Sequence, residues 1–316
     1  MNNSMALVAG ILLTAATVAW LVATSDLGDV AEALGAAAPV PIVWAVIAQA
    51  ASQLFRAFRL EAARNQRPHR VGRSMRVVIY QTALNHILPA KLGELALVAL
   101  LRHQHGIGIS TGTGIMFVLR GMDLFVLVAV GLIATGIAVG EATVAGIGAK
   151  AFLVTGLLLL VAPALFYALR PGRLLHRLEP RLARGRLGKF VHEMLDVVLA
   201  LPFRVFLTIW LLTLAIWANL FAAAVLCYAA VTAAVPAVVA IAAMAGGGLA
   251  FALPVNGIAN VGPFEAAWTF VARTLGAAPE AALAAGVLVH LVAVLTSLAL
   301  LAICLAVPLV RRRSAV

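Results

Sequence analysis

Asn85-His86-Ile87-Leu88-Pro89-Ala90-Lys91-Leu92-Gly93-Glu94 lies inside an apolar run, yet it carries a proline, a glycine, a lysine, a glutamate, a histidine and an asparagine. A plain membrane helix has no use for that set. Pro89 lacks an N–H and clashes with the preceding turn, so a helix breaks or kinks there. Gly93 lets backbone approach backbone closely. Lys91 and Glu94 are costly in hydrocarbon and are kept where they face protein or a wet cavity. A second stretch repeats the order: Leu253-Pro254-Val255-Asn256-Gly257-Ile258-Ala259-Asn260-Val261-Gly262-Pro263-Phe264-Glu265. Two Pro/Gly-interrupted hydrophobic segments in corresponding parts of a chain point to a transporter's binding site.

Around these breaks the chain of 316 residues is 64% hydrophobic and 11% charged, which describes an all-α polytopic membrane protein. A single transmembrane domain, 1–316, is expected, with repeat halves at about 1–169 and 204–316. A basic linker at about 170–203 joins them. Within it Arg173–Asp196 mixes Leu, Phe and Val with Arg and reads as an amphipathic helix on the inner leaflet. Cys227 and Cys304 fall in apolar runs, so neither a disulfide nor a metal site is expected. The first apolar run, Ala6–Ala23, lacks a basic n-region and a small-residue cleavage site, and reads as a retained span. The net charge of +11 sits in a few loops. There it reports topology and contact with anionic lipid; no base-reading motif accompanies it, so nucleic acid is not an expected partner.

Six full spans are expected, at about Met5–Ala23, Val40–Phe58, Ile115–Val139, Ala151–Leu169, Val205–Val231 and Ala281–Val307. The loop after the first carries Asp26, Asp29 and Glu32. The loop after the second carries Arg56, Arg59, Arg64, Arg67, Arg70, Arg73 and Arg76, and from Arg64 onward these recur at every third residue, one basic stripe if helical. The excess of basic residues places this loop, the 170–203 linker and Arg311-Arg312-Arg313 in the cytoplasm, with both termini inside. Val77–Leu101 must then start and end on the cytoplasmic face. Its length cannot cross twice, because one crossing takes about 20 helical residues. It is expected to be re-entrant, and Val238–Leu275 to enter from the outer face. Opposed breaks are the mark of an inverted-topology repeat with a site near the midplane.

Few ionisable residues lie at membrane depth: His86, Lys91, Glu94, Arg120, Asp123, Glu265, Arg273 and His290. Glu94 opens a half-helix, either as a capping acid at the positive end of the dipole or as a headgroup-contacting or coupling acid. Glu265 stands at the same place in the second repeat. Arg120 and Asp123 share a helix face and either pair with each other, or Arg120 reaches Glu94 or a lipid phosphate. Lys91 can meet phosphate as a compact cation. Asn85, Asn256 and Asn260 can bond backbone groups freed by the breaks. His86 and His290 read as structural residues, and Arg273 as a side chain snorkelling outward. The small residues Gly246-Gly247-Gly248 suit close packing, against a partner, a second copy or this chain's own spans, the last being preferred. No nucleophile elbow, P-loop, zinc-protease motif or metal-spaced Cys/His cluster is present, so neither an enzymatic step nor a cofactor is expected.

The ordered set Asn85…Leu88-Pro89…Gly93-Glu94, Arg120-x-x-Asp123-Leu124 and Leu253-Pro254…Gly262…Glu265, with Arg56-x-x-Arg59 at the end of the second span, resembles the lysylphosphatidylglycerol synthase transmembrane (flippase-like) family. The resemblance covers nearly the whole chain. It implies a lipid-translocating domain of the bacterial inner membrane, with Arg56, Arg59, Asn85, Pro89, Gly93, Glu94, Arg120, Asp123, Pro254, Gly262 and Glu265 at the family's positions. Some stand-alone members are associated with hopanoid biosynthesis. The aminoacyl-transferase domain of two-domain members is not in this sequence, so synthesis of lysyl-lipid is not expected. Members often carry a basic residue soon after Gly-Glu; here Leu95-Ala96-Leu97 follows, and the headgroup is not carried over. The resemblance implies membrane lipids as partners, an anionic phospholipid or a polyprenyl or hopanoid lipid. A lipid-biosynthetic enzyme or a second copy of the chain are further candidates. The competing readings are an ion-coupled small-molecule transporter of the same architecture and a non-transporting accessory protein of lipid biosynthesis.

Overall fold

A computed structural model describes residues 3–65, 68–88, 92–140, 143–144, 147–169, 197, 201–232, 234–252 and 261–313. Within them the chain forms eleven helices and one two-stranded ribbon. The helices are α1 (Asn3–Thr24), α2 (Leu27–Gly35), α3 (Pro39–Arg64), α4 (Val71–Ile87), α5 (Leu92–His105), α6 (Ile109–Val139), α7 (Ala149–Leu169), α8 (Phe203–Val231), α9 (Ala237–Ala252), α10 (Pro263–Thr274) and α11 (Pro279–Arg313). The ribbon pairs Thr143–Val144 with Ile147–Gly148, antiparallel, between α6 and α7.

Among the described residues four helices are long and apolar enough to cross a bilayer: Pro39–Arg64, Ile109–Val139, Phe203–Val231 and Pro279–Ala306. Shorter apolar helices occupy Thr14–Thr24, Ala149–Leu165 and Ala237–Ala252. The mean hydropathy of α3 is 1.2, against 2.1 to 2.6 for the other three. The difference comes from one face. Val40, Val43, Trp44, Ile47, Leu54 and Phe58 point outward, while Gln49, Ser52, Gln53, Arg59, Glu61 and Arg64 are buried. A helix that hides its polar side and shows its apolar side is built for lipid outside and a polar interior.

Local signals set the helix ends. Asp26 caps α2 by accepting from the Gly28 N–H at 2.7 Å and the Asp29 N–H at 3.3 Å. Proline opens α3, where its missing N–H costs nothing, and Asn65 closes it in the left-handed region at φ 47°.

Helix α3 packs along α8, α6 along α7, and α9 between α6 and α10. The α9 glycines make that last contact possible. A Cβ on Gly246 would meet Val271, one on Gly247 would meet Phe264, and one on Gly248 would meet Leu127. The glycine run therefore packs against this chain's own helices. One apolar core gathers residues of α3, α6 and α8; a second surrounds the fully buried Trp268 with α8, α9 and α11.

Several boundaries differ from the expectation. The acidic loop is mostly helix α2. Helix α3 runs past Phe58 to Arg64, so Arg56, Arg59 and Arg64 are helix residues rather than loop charges. The reason is that Arg59 and Arg64 have buried carboxylate partners, Asp123 and Glu61. The basic stripe is thereby divided: Arg64 ends α3, Arg70 precedes α4, and Arg73 and Arg76 lie on α4. The polar residues Arg102, His103 and His105 belong to the last turn of α5, where basic groups suit the dipole. Lys150 lies in α7, not in the outer loop. Pro89, Lys91, Pro254, Asn256, Asn260 and most of the 170–203 linker lie outside the described residues.

Candidate functional site

The first break brings two helix ends together. A Cβ on Gly93 would lie 2.6 Å from the Asn85 Cα, so only glycine lets the start of α5 seat against the end of α4. This contact presents Asn85, His86 and Glu94 to one cavity of about 220 Å³. Its other polar lining comes from Gln49, Gln53 and Arg56 of α3, Gln81 and Thr82 of α4, Arg120 and Asp123 of α6, Trp217 of α8 and His290 of α11. Leu127, Leu220, Phe251 and Val289 supply apolar walls. The volume is below the roughly 300–1,000 Å³ of pockets that engulf a drug-sized ligand. It suits a small polar group whose hydrocarbon stays outside.

Asp123 is the hub. Arg59 donates to it through both terminal nitrogens, at 2.6 and 3.2 Å, and donates to the Thr213 hydroxyl at 3.1 Å. The Trp217 indole N–H donates to the same carboxylate at 3.0 Å, and Arg120 reaches it at 3.4 Å. A buried carboxylate is tolerable when its lone pairs are filled in this way. Arg120 also places Nε 3.1 Å from Glu94. Of the three partners that its sequence position left open, the two within the protein, Asp123 and Glu94, are thus engaged, and its side chain is still 30% exposed.

Half-buried Arg56, one helical turn before Arg59, makes no ion pair among the described residues, and its buried Nε has no hydrogen-bond partner. It lines this cavity and a second of about 30 Å³ between α3, α4, α5 and α6. Among the described residues Arg56, Arg59 and Arg120 face Asp123 and Glu94, which leaves one positive charge uncompensated. A low-dielectric cavity with spare guanidinium donors has electrostatics that attract an anion.

At the second break Glu265 accepts from the Gly262 N–H at 2.8 Å, closing the first turn of α10. Gly262 has φ 102°, and a Cβ there would collide with Thr17 of α1. The other Glu265 oxygen contacts Nδ1 of His290. Glu265 does not line the cavity, but His290 and its neighbour Phe264 do.

Among the expected site residues, Arg56, Asn85, Glu94, Arg120 and Asp123 converge on the cavity, Arg59 holds Asp123 from behind, and Glu265 stands one residue away. Sequence reasoning passed over Gln49, Gln53, Trp217 and Thr213, and it read His86 and His290, which also line the cavity, as structural residues. The glutamines recur on one face of α3 with Arg56, a polar stripe in an apolar span that was there to be read. His290 had a subtler signal, since it follows Glu265 at nearly the interval by which Arg120 follows Glu94.

Residues 7–300 match the family model described as "Lysylphosphatidylglycerol synthase TM region". No curated protein matches the chain.

Proposed function

The chain belongs to the lysylphosphatidylglycerol synthase TM region family, and on that premise we propose that this multi-pass membrane protein moves a lipid between leaflets of the bacterial inner membrane. The headgroup enters the cavity while the tails stay in the bilayer. No bond of the lipid is made or broken in this reading. One observation carries it: Arg56, Glu94 and Arg120 line a cavity of headgroup size inside a bundle whose outer faces are apolar.

In this reading α1, α3, α6, α7, α8 and α11 cross the membrane, and α4–α5 and α9–α10 are broken hairpins entering from opposite faces. At 17 and 14 residues, α4 and α5 extend about 25 and 21 Å, short of the roughly 30 Å hydrocarbon core. Helix pairings support a repeat of this kind, the opposed entry of the two hairpins resting on the charge distribution. Exchanging α3, α4, α5 and α6 for α8, α9, α10 and α11 converts α3–α4 into α8–α9, α5–α6 into α10–α11, and α4–α11 into α9–α6, all of which are packed pairs. The basic ends of α3 and α5 then face the cytoplasm, as does the C-terminus.

The test is leaflet exchange of fluorescent lipids in proteoliposomes, with a panel of headgroups. Wild-type protein should accelerate exchange of anionic lipids, and Glu94→Gln and Arg120→Ala should lose most of that rate while remaining folded. Folded variants that exchange lipid at the wild-type rate would remove the site assignment. Absence of exchange for every headgroup would remove the transport reading.

A further inference from the structure

The two halves hold their second hairpin helix in the same way, with different chemistry. Glu94 is the third residue of α5, after Leu92, and Glu265 the third of α10, after Pro263. Each acid meets a base on the helix that follows. Arg120 lies eleven residues beyond the first residue of α6 (Ile109), and His290 eleven beyond the first of α11 (Pro279). The same acid at the same turn thus faces a base at the same height. In the first half the base is arginine, which is charged at all accessible pH values. In the second it is histidine, the side chain suited to changing charge between about pH 5 and 8.

The surroundings make that difference consequential. Glu265 is 5% exposed and His290 8%, so a proton added to this pair changes the charge of a buried unit with little water to screen it. The Glu265 oxygen not facing His290 holds the Gly262 N–H, so the charge state of the pair is felt at the N-terminus of α10, the edge of the second break. His290 itself opens onto the cavity that holds Arg56 and Arg120. The groups facing it from neighbouring helices are Glu265 of α10, His86 of α4 with ring centroids 6.2 Å apart, Cys227 of α8 and, across the cavity, Arg56, Glu94, Arg120 and Asp123. Asp29 and Glu32 of α2, which also packs on α11, are exposed.

We propose that His290 and Glu265 form a proton-binding site, the titratable counterpart of the Arg120–Glu94 pair, and that its occupancy is coupled to passage of an anionic headgroup. This rests on the lipid-transport reading for its second half only. The proton comes from water that reaches the cavity, binds between the His290 imidazole and the Glu265 carboxylate, and returns to water; nothing is oxidised or reduced. One proton bound adds one positive charge beside an anion site, which favours the loaded state. Its release favours unloading.

Two measurements on the full chain test this. The first is NMR of protein in nanodiscs with 15N-labelled histidine, titrated from pH 5 to 8, the His290 signals being identified by their loss in His290→Gln. They should pass between neutral and charged imidazole patterns, and Glu265→Gln should move that transition. A His290 ring that keeps one form throughout overturns the proposal. The second is exchange of fluorescent phosphatidylglycerol over the same pH range. Wild-type rate should change by up to about tenfold per pH unit on one side of the transition. His290→Arg, a fixed charge like that of Arg120, and His290→Gln should both flatten the profile. A pH dependence that survives in both variants overturns the coupling. Exchange that is absent at every pH ends the transport reading, and the NMR titration alone then decides the proton site.

Discussion

Arg59 of α3 grips Asp123 of α6 with both terminal guanidinium nitrogens, at 2.6 and 3.2 Å, and the two side chains are only 4% and 5% exposed. The pair joins the least apolar of the four long apolar helices to the helix that carries Arg120. It therefore fixes where the cavity's cations stand.

Breaking that pair from one side leaves a buried charge without compensation, which costs about 3–5 kcal/mol. Arg59→Ala and Asp123→Ala should each lower thermal stability strongly in detergent. The double change Arg59→Met with Asp123→Leu should recover part of the loss, because the two opposite charges are removed together, although the Trp217 N–H and Arg120 lose Asp123 as an acceptor. The check is the melting temperature of the three variants. Singles that match wild type would mean that the pair contributes nothing net.

Arg56→Gln should leave the fold intact, since Arg56 makes no ion pair among the described residues. It should weaken binding of an anionic headgroup by roughly tenfold or more, the worth of one charge-assisted hydrogen bond. Fluorescent phosphatidylglycerol binding to protein in nanodiscs, with phosphatidylcholine as the comparison, reads this directly. Equal loss for both lipids would speak against an electrostatic role.

Gly93→Ala places a methyl group against the Asn85 backbone, where nothing flexible can yield. A loss of about 1–3 kcal/mol is expected, with a fall in any exchange activity as α4 and α5 are pushed apart. Gly72→Ala is the matched comparison: a Cβ there meets open space, and the change should be neutral or stabilising by up to about 1 kcal/mol. Similar melting temperatures for the two would refute the close-approach argument.

His105 ends α5 and sits beside Ser74, outside the four long apolar spans. Burial, then the nearby Arg64 charge, lowers its pKa from the ordinary imidazole value. The unfolded chain therefore binds more protons than the folded one in the window between the two values. Its contribution to stability is complete above the ordinary imidazole pKa and is lost as pH falls through the folded one. Melting temperature should rise from pH 5 toward pH 8, and His105→Gln should flatten part of that rise. An unchanged slope in the variant would assign the dependence to other groups.

The helical, membrane-spanning character of the chain was legible because hydrocarbon is an unforgiving solvent. It demands long apolar runs, and it makes each proline, glycine or charge within them conspicuous. The two breaks, the acids that follow them and Arg120 stood out for that reason. The boundaries were less legible where a charge had a buried partner: Arg59 and Arg64 look like loop residues until Asp123 and Glu61 are seen beside them.

What the sequence by itself determined was the solvent this chain lives in, the two stretches where proline and glycine interrupt its apolar runs, and the acids that follow them, since each is a property of a few neighbouring residues. What only the tertiary structure decided was which side chains face one another. Arg59 meets an aspartate 64 positions away, and Glu265 meets a histidine 25 away that reads as an ordinary core residue on its own helix. Helix faces are selected by packing between helices, and packing joins residues that the order of the chain keeps apart.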